Sequence, residues 1–451
     1  MPETIITSDR ASVDLDACYN PSTGVLDRRI FTDRLVYEEE LERIFGRGWN
    51  FICHESQIPD TGNFFVSFIG EDEVIAVRDR AGKVNVLLNS CPHRGNTVCR
   101  AEIGTTKSFM CSYHGWNFDL DGSLLAVPNE EAFYKGGLEK KDWGLESAAN
   151  VESYKGFYFA TLDPDAPPLI EYLGWVGKLS IDMMLVDGPI QFLDGIHKNR
   201  LKCNWKFAVD NLYDWYHVKV THGTAFKLGL VTEETMAPNN QMVILGEYGH
   251  GIGGPGLTLE QQAEFDRRQA SGEGESQWYD IQAGHRTDAA TREMLGPLGH
   301  RSFGHPNIFP NLWVTHTRQM CLRIPRGPFE TEIWWFNYLP VSLPDAQSKQ
   351  SIYSHNHVFG PAGFLEQDDG ENWSHSTRGA KGTRSKNRPL NFSMGLGHDT
   401  VSTDPSGQSG IETVVNEHGQ RWTYQCWKEW MQADSWQTLK ENHSKPPQGS
   451  V

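Results

Sequence analysis

The sequence is poor in the features that mark membrane, secreted and nucleic-acid-binding proteins. Its 451 residues contain no apolar run of about 18, so no transmembrane helix is expected. The opening MPETIITSDRASVDLD has neither a basic n-region nor an apolar h-region, and a signal peptide is not expected. Positive charge is scarce: 41 Lys and Arg face 58 Asp and Glu, a net of -17. That balance argues against nucleic acid as a partner, which favours a basic surface. Eight cysteines spread over this length do not make a disulfide-stapled scaffold. There is no internal repeat and no low-complexity block. What is present is apolar and aromatic: 38% hydrophobic residues, with 15 Trp and 22 Phe, which excludes a disordered chain. The expectation is a cytoplasmic globular protein with a sizeable core, and the eight Cys and 17 His are its chemically informative residues.

Along the chain, residues 31–46 read as an amphipathic helix with Thr32 as N-cap and Gly46 at the C-cap. From Trp49 the pattern becomes short, β-branched and aromatic segments broken by turn residues. Residues 47–163 are therefore expected to form a compact β-domain, with Pro167 and Pro168 marking its end. Residues 1–46 and 164–451 form the second region. There DNLYDWYHVKVTH is a helix candidate, and NLWVTHTRQMCLRIP and ETEIWWFNYLP read as strands. GHGIGGPG, residues 249–256, reads as flexible, and 249–280 as a lid or entrance. Trp422, Cys426, Trp427 and Trp430 fall at helical spacing and are expected in core or subunit packing.

Two short motifs stand out in the β-domain. In NSCPHRGNTVC, Cys91 is two before His93; in FMCSYHGW, Cys111 is three before His114. Each loop thus offers one thiolate and one imidazole. A tetrahedral zinc accepts such a set, and so does a [2Fe–2S] cluster with two Cys on one iron and two His on the other. Alternation of Cys and His across two opposed loops favours the cluster, because zinc fingers pair like with like. Gly95 and Gly115 are expected to bring backbone amides close to it. Cys99 reads as a buried thiol.

A second group lies in NWKFAVDNLYDWYHVKVTH. His217 and His222 are five apart, about 140° of helical rotation, so they share a metal only if the helix bulges or ends between them. Asp214, three before His217, can reach a histidine ring nitrogen. Two His and one carboxylate make the facial triad of non-haem iron. Glu366, Asp368, Asp369 and Glu371 in FLEQDDGENW are candidates for the third ligand, although an acidic run is more often a solvated turn.

CPHRG and CSYHGW, followed by DNLYDWYHVKVTH and FGPAGFLEQDDGENW, resemble the large (α) subunit of Rieske non-haem iron aromatic-ring-hydroxylating dioxygenases. NPSTGVLDRRIFTD, VESYKGFYFATLDPDAP and the nine residues from Trp205 to Asp214 look like the benzoate and toluate branch. FGPAGFLEQDDGENW is nearer the hydrocarbon branches, so the substrate stays open. The resemblance implies an α+β fold: an all-β Rieske domain inserted in a helix-grip catalytic domain with an antiparallel sheet. It gives Cys91, His93, Cys111 and His114 to the cluster and His217, His222 and Asp369 to iron, with Asp368 the alternative. It gives Asp214 the bridge between a cluster His of one subunit and an iron-ligand His of the next. Val209, Asp210, Asn211, Leu212, Phe359, Phe364 and Leu365 are the expected pocket residues.

The implied activity is cis-dihydroxylation of an aromatic ring by O2. Monohydroxylation or oxidative demethylation, and an electron-transfer or zinc-binding protein without mononuclear iron, are the alternatives. GHGIGGPG holds Pro255 and lacks a strand–turn–helix setting, so it is not a nicotinamide loop. Electrons are therefore expected from another protein, and the resemblance implies NADH through a separate reductase, with or without a ferredoxin. A small β subunit and an α3 or α3β3 assembly are also implied. Residues 376–388, STRGAKGTRSKNR, hold five basic residues and no acid, and read as a solvated loop or as a donor or subunit contact.

Overall fold

The computed structural model describes residues 13–229, 239–271, 288–315, 318–404 and 406–451. The chain divides into two compact units: Phe45–Tyr172 with Gln191–Asp194, and a larger one formed by the remainder. The division falls between Tyr172 and Leu173. That is inside the helix Leu169–Asp182, next to a kink at Gly174 (φ 54°), rather than at the Pro167–Pro168 pair.

The smaller unit is built of short antiparallel sheets. Val84–Leu88, Asp72–Arg78, Asn63–Ile69 and Ile103–Thr105 form one sheet in that order. Leu124–Ala126, Asn117–Phe118 and Phe109–Met110 form a second. The middle residues of Asn63–Ile69 and Asp72–Arg78 are buried on both faces, and alternate side chains, Phe64, Ile75 and Val77, pack with Leu87, Phe109, Trp116 and Phe118 into one core. The loops carrying Cys91 and Cys111 leave the ends of these strands.

The larger unit is organised by a long antiparallel sheet. From Thr331–Pro340 it runs through Gln319–Pro325, Leu312–Val314, His305–Ile308, Gly251–Pro255, Gln241–Leu245 and Ser409–Thr413 to Val401–Thr403. His197–Leu201 also pairs with Thr331–Pro340. Gly251–Pro255 is thus a fully buried inner strand, not the flexible stretch expected from its composition. Its glycines make room for aromatic rings. A Cβ on Gly251 or Gly253 would lie 2.8 Å from Tyr213, and one on Gly254 2.6 Å from Trp215 Nε1. A helix, Leu259–Ser271, follows it, and the rest of the expected lid, 272–280, lies outside the described residues.

Two helices of this unit carry the tryptophan stripe and the acidic run. His418–Gln432 carries the tryptophan stripe into the core. There Trp422 donates to the Gly246 carbonyl (2.7 Å), Trp427 to Glu40 (2.8 Å) and Trp430 to the Tyr248 carbonyl (3.1 Å). Each ring removes roughly 150–250 Å² from water while keeping its N–H bonded. The second helix, Phe364–Ala380, is the acidic run FLEQDD. It is not a solvated turn: Glu366, Asp369, Gly370 and Trp373 are buried, and Glu371 points outward. Near the start of the chain, Asp33 and not Thr32 caps the helix Arg34–Glu40, accepting from Leu35 N and Val36 N. The segment ends in a π-turn over Leu41–Gly46.

Candidate metal centres

The segment DNLYDWYHVKVTH is broken rather than one helix. Trp205–Asp210 is α-helical, Asn211–Tyr213 is a single 3-10 turn, Val218–Thr221 is a short α-turn, and Gly223–Lys227 resumes after His222. Asp214 causes the first break. Its Oδ1 accepts the N–H groups of Tyr216 (2.9 Å) and His217 (3.1 Å), the local bonding by which Asp competes with helix. His222 leaves helical geometry (φ -96°, ψ 28°), and this second break brings its ring round to His217. The five-residue spacing becomes productive for that reason.

Nε2 of His217 lies 3.2 Å from Nε2 of His222 and 3.2 Å from Asp369 Oδ1, and His222 Nε2 lies 3.3 Å from the same oxygen. Three donor atoms in a near-equilateral triangle of this size fit one small cation, since bonds of about 2.1 Å at right angles hold ligands about 3.0 Å apart. Burial would raise the Asp369 carboxyl, but hydrogen bonds from both imidazoles hold it well below the usual carboxylate range, so the anion needed for a metal is present. Behind each imidazole stands a second carboxylate. Asp214 Oδ2 is 3.4 Å from His217 Nδ1, and Asp368 Oδ2 is 3.5 Å from His222 Nδ1. Both carboxylates sit at the Nδ1 edge, and Nε2 of each ring faces the other two donors of the triangle. The role of Asp368 was missed from sequence, where it competed with Asp369 for the same task. Burial decides between them, because Asp369 faces inward on its helix and the side chain of Asp368 is 41% exposed.

A cavity opens onto this triangle. Asn211, Leu212, Trp215, Val218, His305, Trp313, Phe359 and Leu365 line it with the three donors and Asp214. Four of the seven expected pocket residues are therefore there: Asn211, Leu212, Phe359 and Leu365. Val209, Asp210 and Phe364 are not. Val209 is fully buried in the core, the Asp210 carboxyl accepts from the hydroxyl of buried Tyr424, and Phe364 opens its helix at 40% exposure. His305 and Trp313 were not foreseen, because strand alternation places them on the sheet face beneath the cavity. Trp313 is held there by Phe359 at 4.9 Å, Trp335 at 5.0 Å and the Arg323 guanidinium at 4.4 Å.

The smaller unit brings Cys91, His93, Cys111 and His114 together through two loops of the same design. Cys91 N–H donates to the Asn96 carbonyl (2.9 Å) and Gly95 N–H to the Cys91 carbonyl (2.7 Å). Cys111 N–H donates to the Trp116 carbonyl (2.8 Å) and Gly115 N–H to the Cys111 carbonyl (2.9 Å). Gly95 and Gly115 have φ of +70° and +76°, which closes each turn. Their amides thus close their own loops. The amides that meet sulfur are those of His93 and Arg94 at Cys91 and of Tyr113 and His114 at Cys111. The imidazoles converge, Nδ1 to Nδ1, at 3.1 Å, and His93 stacks flat on buried Trp116 (5.0 Å, 5°). Burial and the neighbouring His114 and Arg94 lower the His93 pKa, leaving the neutral ring a metal requires. Both cysteines are buried, as are the six others, Cys99 among them. Two thiols and two imidazoles, paired one and one, fit a [2Fe–2S] cluster of Rieske type.

Cys426, Glu429 and His443 also lie close together. Here the donors are already used. His443 Nε2 accepts the Tyr248 N–H (2.7 Å), which puts the ring proton on Nδ1, and Nδ1 donates to Glu429 (2.7 Å). This is a packing lock between helix ends.

Residues 48–154 match the Rieske [2Fe-2S] domain, and residues 176–433 match the ring hydroxylating alpha subunit (catalytic domain). The chain is 37% identical over 444 residues to the biphenyl 2,3-dioxygenase subunit alpha of Rhodococcus jostii (strain RHA1), covering 95% of this chain and 94% of that one. It is 33% identical over 445 residues to the benzene 1,2-dioxygenase subunit alpha of Pseudomonas putida, covering 95% of each. A solved naphthalene 1,2-dioxygenase with indole bound in its active site superposes with a TM-score of 0.80 at 28% identity, over 94% of this chain and 96% of the other. The match of 258 catalytic-domain residues, the Rieske match before it and the near full-length likeness to these oxygenases lead to one assignment: the chain belongs to the family of ring-hydroxylating dioxygenase α subunits, with a Rieske [2Fe–2S] domain and a non-haem iron catalytic domain.

Proposed function

We propose that the protein is the terminal oxygenase of a multicomponent system that cis-dihydroxylates an aromatic ring. The observation that carries this reading is the triangle of His217, His222 and Asp369 at 3.2–3.3 Å beneath a cavity walled by Trp215, Trp313 and Phe359. When bound, non-haem Fe(II) in a 2-His-1-carboxylate site supplies open positions for O2, and the Rieske cluster supplies electrons.

The residues of this chain have distinct tasks in that scheme. His217, His222 and Asp369 hold the iron; Cys91, His93, Cys111 and His114 hold the cluster. Asp214 orients His217 and reaches His114 of a neighbouring subunit in an α3 or α3β3 assembly. Trp313, Phe359 and Leu365 press a planar ring toward the iron face and exclude water from it. The aromatic walls favour an apolar ring, in line with the biphenyl and benzene named for its relatives. Electrons come from NADH through a reductase, with or without a ferredoxin. Eight buried thiols suit the reducing cytoplasm, and no helix among the described residues is long and apolar enough to cross a membrane.

The test is metal and product analysis of the purified protein supplied with reductase components. Three irons per two sulfides, a Rieske EPR signal, and both atoms of labelled O2 in one diol product are expected. One labelled atom in the product instead means monohydroxylation or demethylation. Two irons per two sulfides, with no mononuclear iron, reduces the protein to an electron carrier.

A further inference from the structure

Asn96 belongs to the first cluster loop but works on the second. Its main-chain carbonyl accepts the Cys91 N–H at 2.9 Å, which ties its backbone to the cysteine of its own loop. Its side chain crosses to the other. Nδ2 lies 3.0 Å from the Thr97 carbonyl and 3.6 Å from Cys111 Sγ, a hydrogen-bond length for the larger sulfur atom. A carboxamide nitrogen has two protons, so it serves both acceptors at once. The Thr97 bond sets the angle at which the second N–H meets sulfur. The two cysteines thereby become unequal. Main-chain amides favour the thiolate of each, but of the two sulfurs it is Cys111 that, among the described residues, also accepts from a carboxamide. Cys111 is 1% exposed, so water does not compete for that position.

We propose that the Asn96 carboxamide raises the reduction potential of the [2Fe–2S] cluster by donating to the sulfur of Cys111. This rests on the reading that these loops hold a Rieske cluster. Reduction adds negative charge that is shared with the ligand sulfurs. A donor N–H interacts more strongly with the more negative sulfur, and the reduced state gains. Asn96 is a positioning residue in this role: it touches a ligand of the cluster, not the substrate.

The experiment uses holoprotein and reads potential. Asn96→Leu keeps most of the side-chain volume and removes both donors; Asn96→Gln keeps the donors on a longer stem. EPR-monitored redox titration of Asn96→Leu is expected to show the reduction equilibrium shifted against the reduced form by up to about tenfold, about 59 mV for a one-electron couple. Asn96→Gln returns part of that shift. A carboxamide does not titrate, so the offset stays constant between about pH 6 and about pH 8. A loosened loop would instead make the offset vary with pH. An unchanged midpoint in Asn96→Leu overturns the proposal, and so do equal shifts in the Leu and Gln variants. If Asn96→Leu assembles no cluster, wild-type protein carrying asparagine labelled with 15N in its side chain decides: pulsed EPR of the reduced cluster must show coupling to that nitrogen, and its absence overturns the role. A wild-type protein with no Rieske signal at all overturns the cofactor reading itself.

Discussion

Asp368 Oδ2 stands 3.5 Å from Nδ1 of His222, on the far side of the ring from the Nε2 that faces Asp369. Neighbouring carboxylates in one helix thus address opposite edges of one imidazole, and only Asp369 closes the triangle of donor atoms. Replacing a carboxylate behind a metal-bound histidine costs about 10–100-fold in metal affinity or activity. The side chain of Asp368 is 41% exposed, so its field is partly screened and the loss belongs at the lower end. Asp368→Asn is expected to weaken Fe(II) binding about tenfold, measured as mononuclear iron retained after dialysis, with the Rieske spectrum unchanged. Full iron retention would remove Asp368 from the site.

Asp214→Asn separates two tasks of one side chain. The main-chain N–H groups of Tyr216 and His217 bond to Oδ1, and an asparagine oxygen accepts them equally well, so the broken helix is preserved. What disappears is the negative charge facing His217 Nδ1. An intact cluster spectrum with turnover lost is the expected result. Coupled product formation at the wild-type rate would show that this charge is dispensable.

Metal uptake is expected to depend on pH. Burial lowers the proton affinity of His217, but the Asp214 and Asp369 carboxylates outweigh it and push the metal-free pKa up to about 10 from 6.5. A raised folded-state pKa stabilises the apoprotein fully below the unfolded value of 6.5, and that contribution is lost as pH rises through about 10. Fe(II) must displace this proton, so apparent affinity rises with pH across the window. Anaerobic calorimetry in buffers of different ionisation heat should detect proton release; pH-independent uptake would mean that His217 is already neutral.

Asp210 gives a prediction of opposite kind. Burial pushes its carboxyl up to about 8 from 3.8, although it accepts from the Tyr424 hydroxyl. The folded state therefore holds a proton that the unfolded chain releases above 3.8, and stability falls as pH climbs from there through about 8. Asp210→Asn removes the titration and keeps an acceptor for Tyr424. Its Tm relative to wild type should increase between about pH 5 and about pH 8.5. A constant difference over that range would place the charge elsewhere.

The basic stretch offers a test of partner contact. Arg378 and Lys381 line a groove of about 770 Å³ with Arg200, Lys202 and Arg326, so two of the five basic residues of 376–388 share this surface with cations from two other segments. Arg200 and Arg326 are engaged with Glu332, and Lys381 lies over Phe329 at 3.8 Å. If an acidic electron donor docks there, Arg378→Gln with Lys381→Gln raises the KM for the donor several-fold at low salt, and the difference fades as salt screens it. Kinetics equal to wild type at low salt leave the groove to other partners.

Both donor sets were legible in the order of residues, because a metal site needs particular atoms and short loops supply them at fixed spacing. Cys91, His93, Cys111 and His114 need only two turns, and Gly95 and Gly115 mark where those turns close. GHGIGGPG was misread because glycine signals freedom in a sequence, whereas here the missing Cβ atoms of Gly251, Gly253 and Gly254 leave space for Tyr213 or Trp215. Asp368 could not be told from Asp369, since one residue of helical rotation separates buried from half-exposed. Asn96 gave no signal, because its neighbour in space is twenty residues from its own loop's Cys91.

The sequence by itself determined the chemistry: two thiols and two imidazoles for a cluster, two imidazoles and a carboxylate for an ion, and aromatic mass to wall a cavity. Those follow from side-chain identity, which no fold alters. Only the tertiary structure decided which carboxylate closes the donor triangle and which one stands behind a ring, which rings form the wall, and which sulfur takes the extra hydrogen bond. These depend on directions and on distances of 3 to 4 Å, set where a helix breaks at Asp214 and His222 and where a strand of glycines lets aromatic rings approach.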